Sequence, residues 1–509
     1  MQISRVRRIR LLWLALALVL PALFLAVVRI SALDGFESDQ DSLFHAQMAD
    51  SGPAVCMSKS FPQMTLSVWH DSFSDKELGY HLALCFVRSL QAVAGVDLNS
   101  PPFNFPALLF ASLAVLCFVF ACSRFCRTPW IWAFSLLLVT LSPVFSQRLL
   151  ALRPHVLSIA LMLLFFALML RTQGWKSLAI GVIAGFSMAW CYSNPHFILV
   201  PACAVALAKA MKGEGGGRLL NFLLPVSAFC GILLGYLLHP QFPNNFIIWK
   251  TQCVDVVSQA LMPVKGVVLA DEFESAKISN LLANLGVLAL FAASLGIFIF
   301  QCWKRRLNSA LTSSLLVAAV FTLLFLRQPR ALEYSCPFTV LSAAIAFSSL
   351  RRNFSLGIKG KVCVCALLAG LALFTGCKVH DSLKAGRHFR PFSDFASFLS
   401  AKGFPAGSLI ANVNWSDFPP LFFAAPNYRY LCGMDPMFGY RFSPERMTAL
   451  EAFRTGKTML LPSKLAELTG SDFAFVSIFG WQLAENMSRH GYAIVYQGKD
   501  GWLFDLRKR

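Results

Sequence analysis

The chain has 509 residues, of which 56% are hydrophobic and only 14% charged, and its formal net charge is +19. Soluble globular proteins carry roughly 25% charged residues, so the composition excludes an ordinary soluble domain and indicates a membrane protein with many spanning helices. The basic excess lies mostly in short segments between apolar runs, where it sets topology. No basic patch with interleaved aromatic residues is present, and nucleic-acid binding is not predicted.

The chain begins with a basic segment, Met1–Arg10, and an apolar run, Leu11–Leu33, follows it. The run is long enough to cross a bilayer. No clear small-residue cleavage site precedes the acidic segment that comes next. We therefore interpret the run as a signal anchor with a cytoplasmic N-terminus rather than as a cleaved signal peptide.

Residues 34–104 form a long outer loop that concentrates acidic residues, beginning with Asp34, in an otherwise basic chain. The most acidic stretch is Glu37-Ser-Asp39-Gln-Asp41-Ser-Leu-Phe-His45. The pattern predicts a helix from Asp41 to Ala49, with Asp41 or Ser42 near its N-terminal cap. Asp39 and Asp41 could supply a carboxylate base at the membrane surface, or they could merely cap a solvated surface helix. The residues alone leave both interpretations open.

His81–Gly95 is apolar but contains Arg88, and at about 15 residues it is shorter than a spanning helix. We predict that it forms a helix on the outer membrane surface. Ten further apolar runs, counted together with Leu11–Leu33, predict about eleven spans. These runs are Phe105–Ala121, Trp130–Phe145, Val156–Leu170, Leu178–Tyr192, Phe197–Ala210, Leu219–Leu238, Leu281–Phe300, Leu311–Leu326, Cys336–Leu350 and Val362–Cys377.

Loop charge supports this count. Together with the N-terminus, the loops predicted to be cytoplasmic hold about eighteen Lys and Arg residues, including Arg351 and Arg352. The outer loops hold about seven. Counting His81–Gly95 as a span would invert every later loop. An odd number of spans places the C-terminus outside, with a membrane domain at residues 1–378 and an outer domain at 379–509.

The outer C-terminal domain is much less apolar, and its mixed periodicity predicts a small α/β fold. The predicted strands are Ser408–Val413, Phe473–Ile478, Tyr492–Tyr496 and Trp502–Leu506. The predicted helices are Asp417–Ala424, Pro444–Thr455 and Trp481–His490.

Two outer segments carry arginines against the positive-inside bias: Gln147-Arg148-Leu-Leu-Ala-Leu-Arg153-Pro-His155 and Arg327-Gln-Pro-Arg330-Ala-Leu-Glu333-Tyr334. A bound phosphate or the acidic first loop would offset their charge. The alternative is that these side chains snorkel to lipid headgroups. Lys76, between Asp75 and Glu77, is a further candidate, with an ordinary solvated lysine as the alternative.

This layout resembles the GT-C superfamily of polyprenyl-phosphate-dependent glycosyltransferases, which includes protein O-mannosyltransferases, aminoarabinose transferases and oligosaccharyltransferase catalytic subunits. Asp41-Ser-Leu-Phe-His45-Ala-Gln-Met-Ala49 is similar to the acid-plus-helix motif of that family's first outer loop. Lys76 is similar to the lysine before its second surface element, although the Pro-Pro common after that lysine is missing here. Ser146-Gln-Arg148…Arg153-Pro-His155 sits where the family has its second outer loop, which contacts donor or metal.

The resemblance implies a polytopic α-helical, GT-C-like membrane protein with a small outer α/β domain, in the plasma (inner) membrane of a bacterium. It implies inverting transfer of a sugar from a polyprenyl-phosphate donor to an extracytoplasmic lipid, glycan or protein. Asp41 is then the catalytic base, supported by Asp39. The substrate-binding residues would be His45, Lys76, Arg148, Arg153, His155, Arg327 and Arg330.

No acidic residue lies in Gln147–His155, which argues against a metal-dependent oligosaccharyltransferase mechanism. No metal ligand is assigned, and the need for a divalent metal stays open. A transporter or flippase is one alternative function, although no predicted span carries a run of ionisable groups and no paired Gly- or Pro-broken helices mark a midplane site. A non-catalytic envelope assembly protein is the other.

Overall fold

The computed structural model describes residues 2–33, 37, 39–95, 103–126, 128–214, 217–261, 275–350, 357–385 and 391–507. Asp34, Arg351 and Arg352, which belong to predicted loops, lie outside these ranges. The chain divides into two compact units. The first unit comprises Met1–Ser38, Gln91–Leu238 and Glu274–His388, and the second comprises Asp39–Leu90, His239–Phe273 and Phe389–Arg509.

The first unit is built from long apolar helices. Within the described ranges, 9 helices are long and apolar enough to cross a membrane. Such helices satisfy their own backbone hydrogen bonds, as a lipid environment requires, and the chain is an integral membrane protein. These helices are Ile9–Ala32, Asn104–Phe125, Pro154–Arg171, Pro195–Lys212, Arg218–Leu237, Leu285–Trp303, Ser309–Arg327, Pro329–Leu350 and Ile358–Ala385.

Two further apolar segments account for the remaining predicted spans. Pro129–Thr140 and Pro143–Leu149 meet at 90° and form a broken span or a re-entrant loop. Ser142 lies at the break, where its hydroxyl caps the second helix by accepting from the Phe145 N–H at 3.1 Å. Trp175–Cys191 is an apolar helix of 17 residues. The predicted count of about eleven therefore corresponds to nine or ten spans by length and composition, together with this shorter helix.

Glycines let two of these helices touch backbone to backbone. A Cβ added to Gly185 in helix Trp175–Cys191 would lie 2.0 Å from the Ala228 carbonyl oxygen, and one on Gly231 would lie 2.1 Å from the Val182 carbonyl oxygen. No larger residue fits at such a distance. Small residues commonly allow close helix association in membranes, where packing replaces the hydrophobic drive.

A buried ion pair fixes the end of the first helix, Gln2–Ala32. The side chain of Arg29 is fully buried and pairs with Glu37, which is also fully buried. Arg29 also donates to the Leu150 carbonyl and, at 2.9 Å, to Asn104 Oδ1. Glu37 belongs to the acidic stretch predicted from sequence, but its carboxylate neutralises a buried arginine, and such a pair is costly to break.

The second unit contains a five-stranded sheet of order β2-β1-β3-β5-β4. The strands are β1 (Leu409–Asn412), β2 (Arg429–Tyr430), β3 (Phe473–Ser477), β4 (Ala493–Gln497) and β5 (Gly501–Asp505). β1 pairs in parallel with β2 and β3, and β5 is antiparallel to β3 and β4. Four of these strands were predicted. β2 was missed because two residues carry no alternating pattern.

The helices of the C-terminal region cover the sheet and include the three predicted ones, which end one residue earlier or begin one residue later than expected. Three more were not predicted. The helices after residue 390 are Ser393–Ala401, Phe418–Ala424, Pro436–Phe442, Pro444–Arg454, Pro462–Thr469 and Trp481–Arg489. Earlier helices in this unit are Gln40–Ser51, Pro53–Cys56, Trp69–Ser72, Asn244–Lys250 and Val256–Leu261.

The first loop is hydrogen-bonded to the C-terminal sheet. Met64 forms a parallel bridge with Tyr430 of β2. The N–H groups of Thr65 and Leu66 donate to the carbonyls of Tyr430 and Leu431 at 2.9 and 2.7 Å. The sequence grouped residues 34–104 with the membrane domain and set the boundary at 378. These long-range backbone bonds group residues 39–90 with the C-terminal region, and helix Ile358–Ala385 runs past that boundary.

Helix Leu78–Val93 has 16 residues and is not among the candidate spans. Its buried side carries the apolar Leu84 and Val87 together with Arg88, which donates to both carboxylate oxygens of Asp50, at 2.7 and 3.0 Å. Phe86, Leu90 and Val93 are exposed. The exposed apolar side chains and the short length suit a helix lying in a membrane surface, and the surface position of His81–Gly95 stays a prediction.

We expect Gly231→Ala to destabilise the first unit, because the added methyl group meets a carbonyl of the facing helix. Overpacking of this kind costs roughly 1–3 kcal/mol. The matched control is Gly296→Ala in helix Leu285–Trp303, where an added Cβ meets nothing within 4 Å. Thermal unfolding of the purified protein in detergent checks this, and equal midpoints for the two variants would contradict the close packing.

Candidate functional site

A buried carboxylate in the first unit gathers several predicted residues. Arg148 lies in the last turn of Pro143–Leu149, and Glu333 lies in the first turn of Leu332–Leu350. Arg148 forms an ion pair with Glu333 through both Nε and Nη2. The side chain of Glu333 is only 2% exposed, and that of Arg148 is 25% exposed. A buried carboxylate needs such a partner, because removal from water strongly disfavours its charge.

Arg153, Arg330 and His155 also interact electrostatically with Glu333. The His155 ring is held by a hydrogen bond between Nε2 and the Arg148 carbonyl oxygen, at 3.0 Å. Three guanidinium groups therefore act on one carboxylate. We name Arg148, Arg153, Arg330 and Glu333 the arginine cluster. Guanidinium groups match phosphate geometry well.

Hydrogen bonds fix the helices that carry this cluster. Ser158 Oγ donates to the His155 carbonyl at 2.8 Å and shares a 2.6 Å hydrogen bond with the hydroxyl of Tyr334. The Tyr334 ring lies 4.9 Å from the ring of Phe321, centroid to centroid. Helix Pro154–Arg171 is thus joined to helix Leu332–Leu350 beside the cluster, and the arginines have a rigid support.

Arg327 differs from the other three predicted arginines. It ends helix Ser309–Arg327, and its side chain is exposed. Glu333, in contrast, lies in the second arginine-containing outer segment, but the sequence did not predict a role for it. Its position three residues after Arg330, in a helix, is the sequence signal that could have marked it.

In the second unit, Asp39 is the N-cap of helix Gln40–Ser51. Its carboxylate accepts from the Asp41 N–H at 3.4 Å. The sequence predicted Asp41 or Ser42 near the cap, and the cap itself is Asp39, two residues before Asp41. Asp41 lies in the first helical turn and is half-buried. Carboxylates are favourable there because the helix dipole is positive at this end. Its role as a base stays a prediction.

His45 belongs to a buried chain of hydrogen bonds. His45 Nδ1 and His81 Nε2 are 2.8 Å apart, and His81 Nδ1 is 2.6 Å from Asp75 Oδ2. His45, His81 and Asp75 are all buried. We name them the histidine relay. His81 and Asp75 were missed as functional candidates, although Asp75 lies next to Lys76 in the sequence and His81 follows five residues after Lys76.

Gln241 fixes the acidic end of the relay. Its side-chain oxygen accepts from the Asp75 N–H at 2.7 Å, and its amide donates to the Cys56 carbonyl at 2.9 Å. The Asp75 carboxylate also accepts from the Glu77 N–H, at 3.0 Å. The relay is therefore anchored by backbone contacts and links helix Gln40–Ser51 to helix Leu78–Val93.

The Asp75 carboxylate sets the protonation of His81. Burial alone lowers the pKa of His81, but the charge and hydrogen bond of Asp75, with the charge of Glu77, outweigh burial and raise that pKa above its ordinary value of 6.5. The folded protein therefore binds a proton here more tightly than the unfolded chain does.

Lys76 is not an ordinary solvated lysine. Its side chain is 17% exposed, and its Nζ lies 3.8 Å from Glu77 Oε1. The same Nζ lies 6.0 Å from the centroid of the Phe438 ring. These contacts hold the ammonium in place. Lys76 is also next to Asp75 of the relay in the sequence.

The residues that the structure describes bring together no group of three or more His, Cys, Asp or Glu that could hold a metal ion. Neither the arginine cluster, with one carboxylate, nor the histidine relay supplies such a set. What the arginine cluster supplies is positive charge without metal ligands.

We expect Asp75→Asn to remove part of the pH dependence of stability. Because the pKa of His81 is raised in the folded state, its contribution to the free energy of unfolding is fully present below about pH 6.5. That contribution is lost as the pH rises through the folded-state pKa. The part of the change in unfolding midpoint between pH 6 and pH 8.5 that is due to His81 should disappear in the variant. Differential scanning measurements across that range check this.

The control for this experiment is Asp71→Asn. Asp71 contacts His70 at 2.7 Å, but both side chains are exposed, at 72% and 35%. Surface pairs contribute little, so this variant should keep the wild-type pH profile. An unchanged profile in Asp75→Asn as well would contradict the role assigned to the relay.

Comparison with known proteins gives structural matches only. No protein-family model and no curated protein matches this sequence. The archaeal oligosaccharyltransferase AglB from Archaeoglobus fulgidus, in complex with an inhibitory peptide and a dolichol-phosphate, matches with a TM-score of 0.65 at 11% identity. The match covers 97% of this chain and 74% of AglB. The apo form of the A. fulgidus enzyme gives a TM-score of 0.64 at 12% identity, with the same coverage.

A second membrane enzyme matches over its whole length. ArnT from Cupriavidus metallidurans, bound to undecaprenyl phosphate, gives a TM-score of 0.55 at 13% identity, covering 95% of this chain and 97% of ArnT. At these identities the likeness concerns the fold. The chain has the fold of the GT-C membrane glycosyltransferases, with many apolar helices and a small C-terminal α/β region.

Proposed function

We propose that this protein is a membrane glycosyltransferase that moves a sugar from a polyprenyl-phosphate donor to an extracytoplasmic acceptor. The observation that carries the proposal is the arginine cluster: three guanidinium groups around one buried carboxylate, in a fold shared with AglB and ArnT. Structures of those two proteins contain dolichol-phosphate and undecaprenyl phosphate. A lipid-linked phosphate is an anion that suits both the guanidinium groups and the fold.

In this proposal, Arg153 and Arg330 hold the donor phosphate. Arg148 is paired with Glu333 and contributes orientation and part of its charge. His155, bonded to the Arg148 carbonyl, holds the backbone of this segment in place. Arg327, exposed at a helix end, is expected to contribute less. Guanidinium groups stabilise the phosphate most when it leaves, because its negative charge increases at that point.

Asp41 is the proposed base. The acceptor hydroxyl gives its proton to the Asp41 carboxylate while its oxygen attacks the anomeric carbon of the donor. The bond from that carbon to the phosphate oxygen breaks, its electron pair leaves with the lipid phosphate, and the anomeric centre is inverted. Asp39 supports Asp41 by capping its helix. His45 supports the same helix through the histidine relay, and Lys76 contacts the donor.

Asp41→Asn should lower transfer strongly, because it keeps the side-chain shape and removes basicity. Loss of a general base typically costs about 100- to 10,000-fold in rate. The measurement is mass spectrometry of cell-envelope glycans, and of extracted lipid-linked donors, from cells expressing each variant. Asp71→Asn, which alters an acid with a 72% exposed side chain, is the matched control and should transfer at the wild-type rate.

Two outcomes would contradict this assignment. Transfer within a few-fold of wild type in Asp41→Asn, with a large loss in Asp39→Asn, would exchange the two roles. Wild-type transfer in both variants would leave the acidic helix without a catalytic part, and the glycosyltransferase proposal would lose its base.

Arg153→Gln and Arg330→Gln should each raise the donor concentration needed for half-maximal transfer. A hydrogen bond to a charged group contributes roughly 1.5–3 kcal/mol, which corresponds to about tenfold or more in affinity. Lysine should substitute poorly, because it lacks the planar paired donors of arginine. Transfer measured in membrane vesicles at several donor concentrations checks this.

Arg171→Gln is the control for both variants. Arg171 ends the same helix, Pro154–Arg171, and its guanidinium lies over the ring of Phe120 at 4.9 Å. The Gln variant should leave the donor requirement unchanged. If Arg153→Gln and Arg330→Gln behave like this control, the arginine cluster does not bind the donor.

A further inference from the structure

A cavity of about 270 Å³ lies in the C-terminal region of the second unit. Its floor is buried and includes Val413, Asp417 and Ser477. Its rim is exposed and polar, with Gln482 and Asn486 projecting from helix Trp481–Arg489. This combination of a buried floor and an open polar rim is typical of small-molecule sites. None of these residues belongs to the arginine cluster or the histidine relay.

Asp417 is the unusual group in this cavity. It ends the short turn Trp415–Asp417 and is fully buried. Its Oδ1 accepts from the Ser477 hydroxyl at 2.9 Å. Its Oδ2 is buried and has no well-aligned hydrogen-bond partner within the described ranges, although hydrogen-bonding interactions with the Ser477 N–H and the Asn414 side chain lower the pKa of the carboxyl. Leaving a buried acceptor unused costs free energy, and a ligand that donates to it would remove that cost.

The protonation of Asp417 reflects its burial. Burial raises the pKa of Asp417 to about 7, even though Ser477 and Arg454 act in the opposite direction. A hydroxyl that donates to Oδ2 would stabilise the ionised carboxylate.

The charges in the cavity favour a neutral ligand. Arg454 also lines it, but its guanidinium is held by Glu451 in a two-bond pair, at 2.7 and 2.6 Å. An ammonium ligand would meet Arg454, and an anionic ligand would meet Asp417. The amides of Gln482 and Asn486 each offer a donor and an acceptor, which matches neighbouring hydroxyl groups.

We propose that this cavity binds one neutral sugar residue, with a sugar hydroxyl donating to Asp417 Oδ2 and with Gln482 and Asn486 contacting adjacent hydroxyls. Phe479, which also lines the cavity and is 56% exposed, offers an apolar ring to the C–H face of the sugar. The volume lies just below the range of about 300–1,000 Å³ for drug-sized ligands, which suits a single ring. The proposal does not depend on the proposed function, since binding is measured without transfer.

Saturation-transfer difference NMR on the full-length protein in lipid nanodiscs tests this proposal. Nanodiscs replace glycoside detergents, whose headgroups would compete. The probes are the methyl glycosides of glucose, mannose and galactose, and N-acetylglucosamine, titrated in the millimolar range. At least one should give a saturable signal, and Asp417→Asn should weaken its binding about tenfold or more, because a hydrogen bond to a charged acceptor is lost.

Asp472→Asn is the control, because Asp472 is an exposed acid immediately before β3 and should leave binding unchanged. Gln482→Ala and Asn486→Ala should each weaken binding several-fold. Both residues are exposed, so these variants decide the question even if Asp417→Asn fails to fold in a thermal melt. The proposal is overturned if the wild-type protein gives no saturable signal with any probe, or if the rim variants bind as the wild type does.

Discussion

The pairing of Glu333 with arginine is the interaction on which the chemistry of the first unit depends. An ionised carboxylate that is 2% exposed among apolar helices is tolerated only when its charge is compensated. Arg148 alone would compensate it. Arg153 and Arg330 also act on this carboxylate. Three guanidinium groups that act on one carboxylate offer several donors that match the oxygens of a phosphate.

The segment that carries these arginines is held at several points. Arg29 donates to the Leu150 carbonyl, His155 bonds the Arg148 carbonyl, and Ser158 joins the following helix to Tyr334. A backbone fixed in this way keeps the guanidinium groups oriented before a ligand arrives. Electrostatic stabilisation is most effective when the charged groups need not reorganise during the reaction. The buried ion pair at the end of the first helix thus contributes to the site through the backbone it fixes.

The sequence predicted what depends on neighbouring residues and missed what depends on distant ones. Apolar runs gave the helices, and alternation gave four strands, since both patterns are local. The two-residue strand β2 forms because Met64 and β1 pair with it, and no local pattern records those partners. Likewise, Arg148, Arg153 and Arg330 stood out because they break the positive-inside bias, but Glu333 became their common partner only in the folded chain.

The histidine relay gives the same lesson for the acidic loop. Asp75 and His81 are six residues apart, yet the third member, His45, comes from another helix. His45 is buried and hydrogen-bonded to His81, and its predicted contact with substrate stays a prediction. Asp417 was predicted to begin a helix that starts one residue later, and nothing in its neighbours indicated that one of its oxygens would be buried without a well-aligned hydrogen bond.

Magnitudes separate the two candidate acids of the first loop. The Asp39 carboxylate is used in capping the helix, and losing a cap costs about 1 kcal/mol. A protein stable by roughly 5–15 kcal/mol remains folded after such a loss, so the capping role alone predicts nearly unchanged transfer. A base contributes about 100- to 10,000-fold in rate, or roughly 3–5 kcal/mol in the barrier. Asp41, half-buried in the first turn that Asp39 caps and the histidine relay supports, is the acid whose position is fixed well enough for that larger effect.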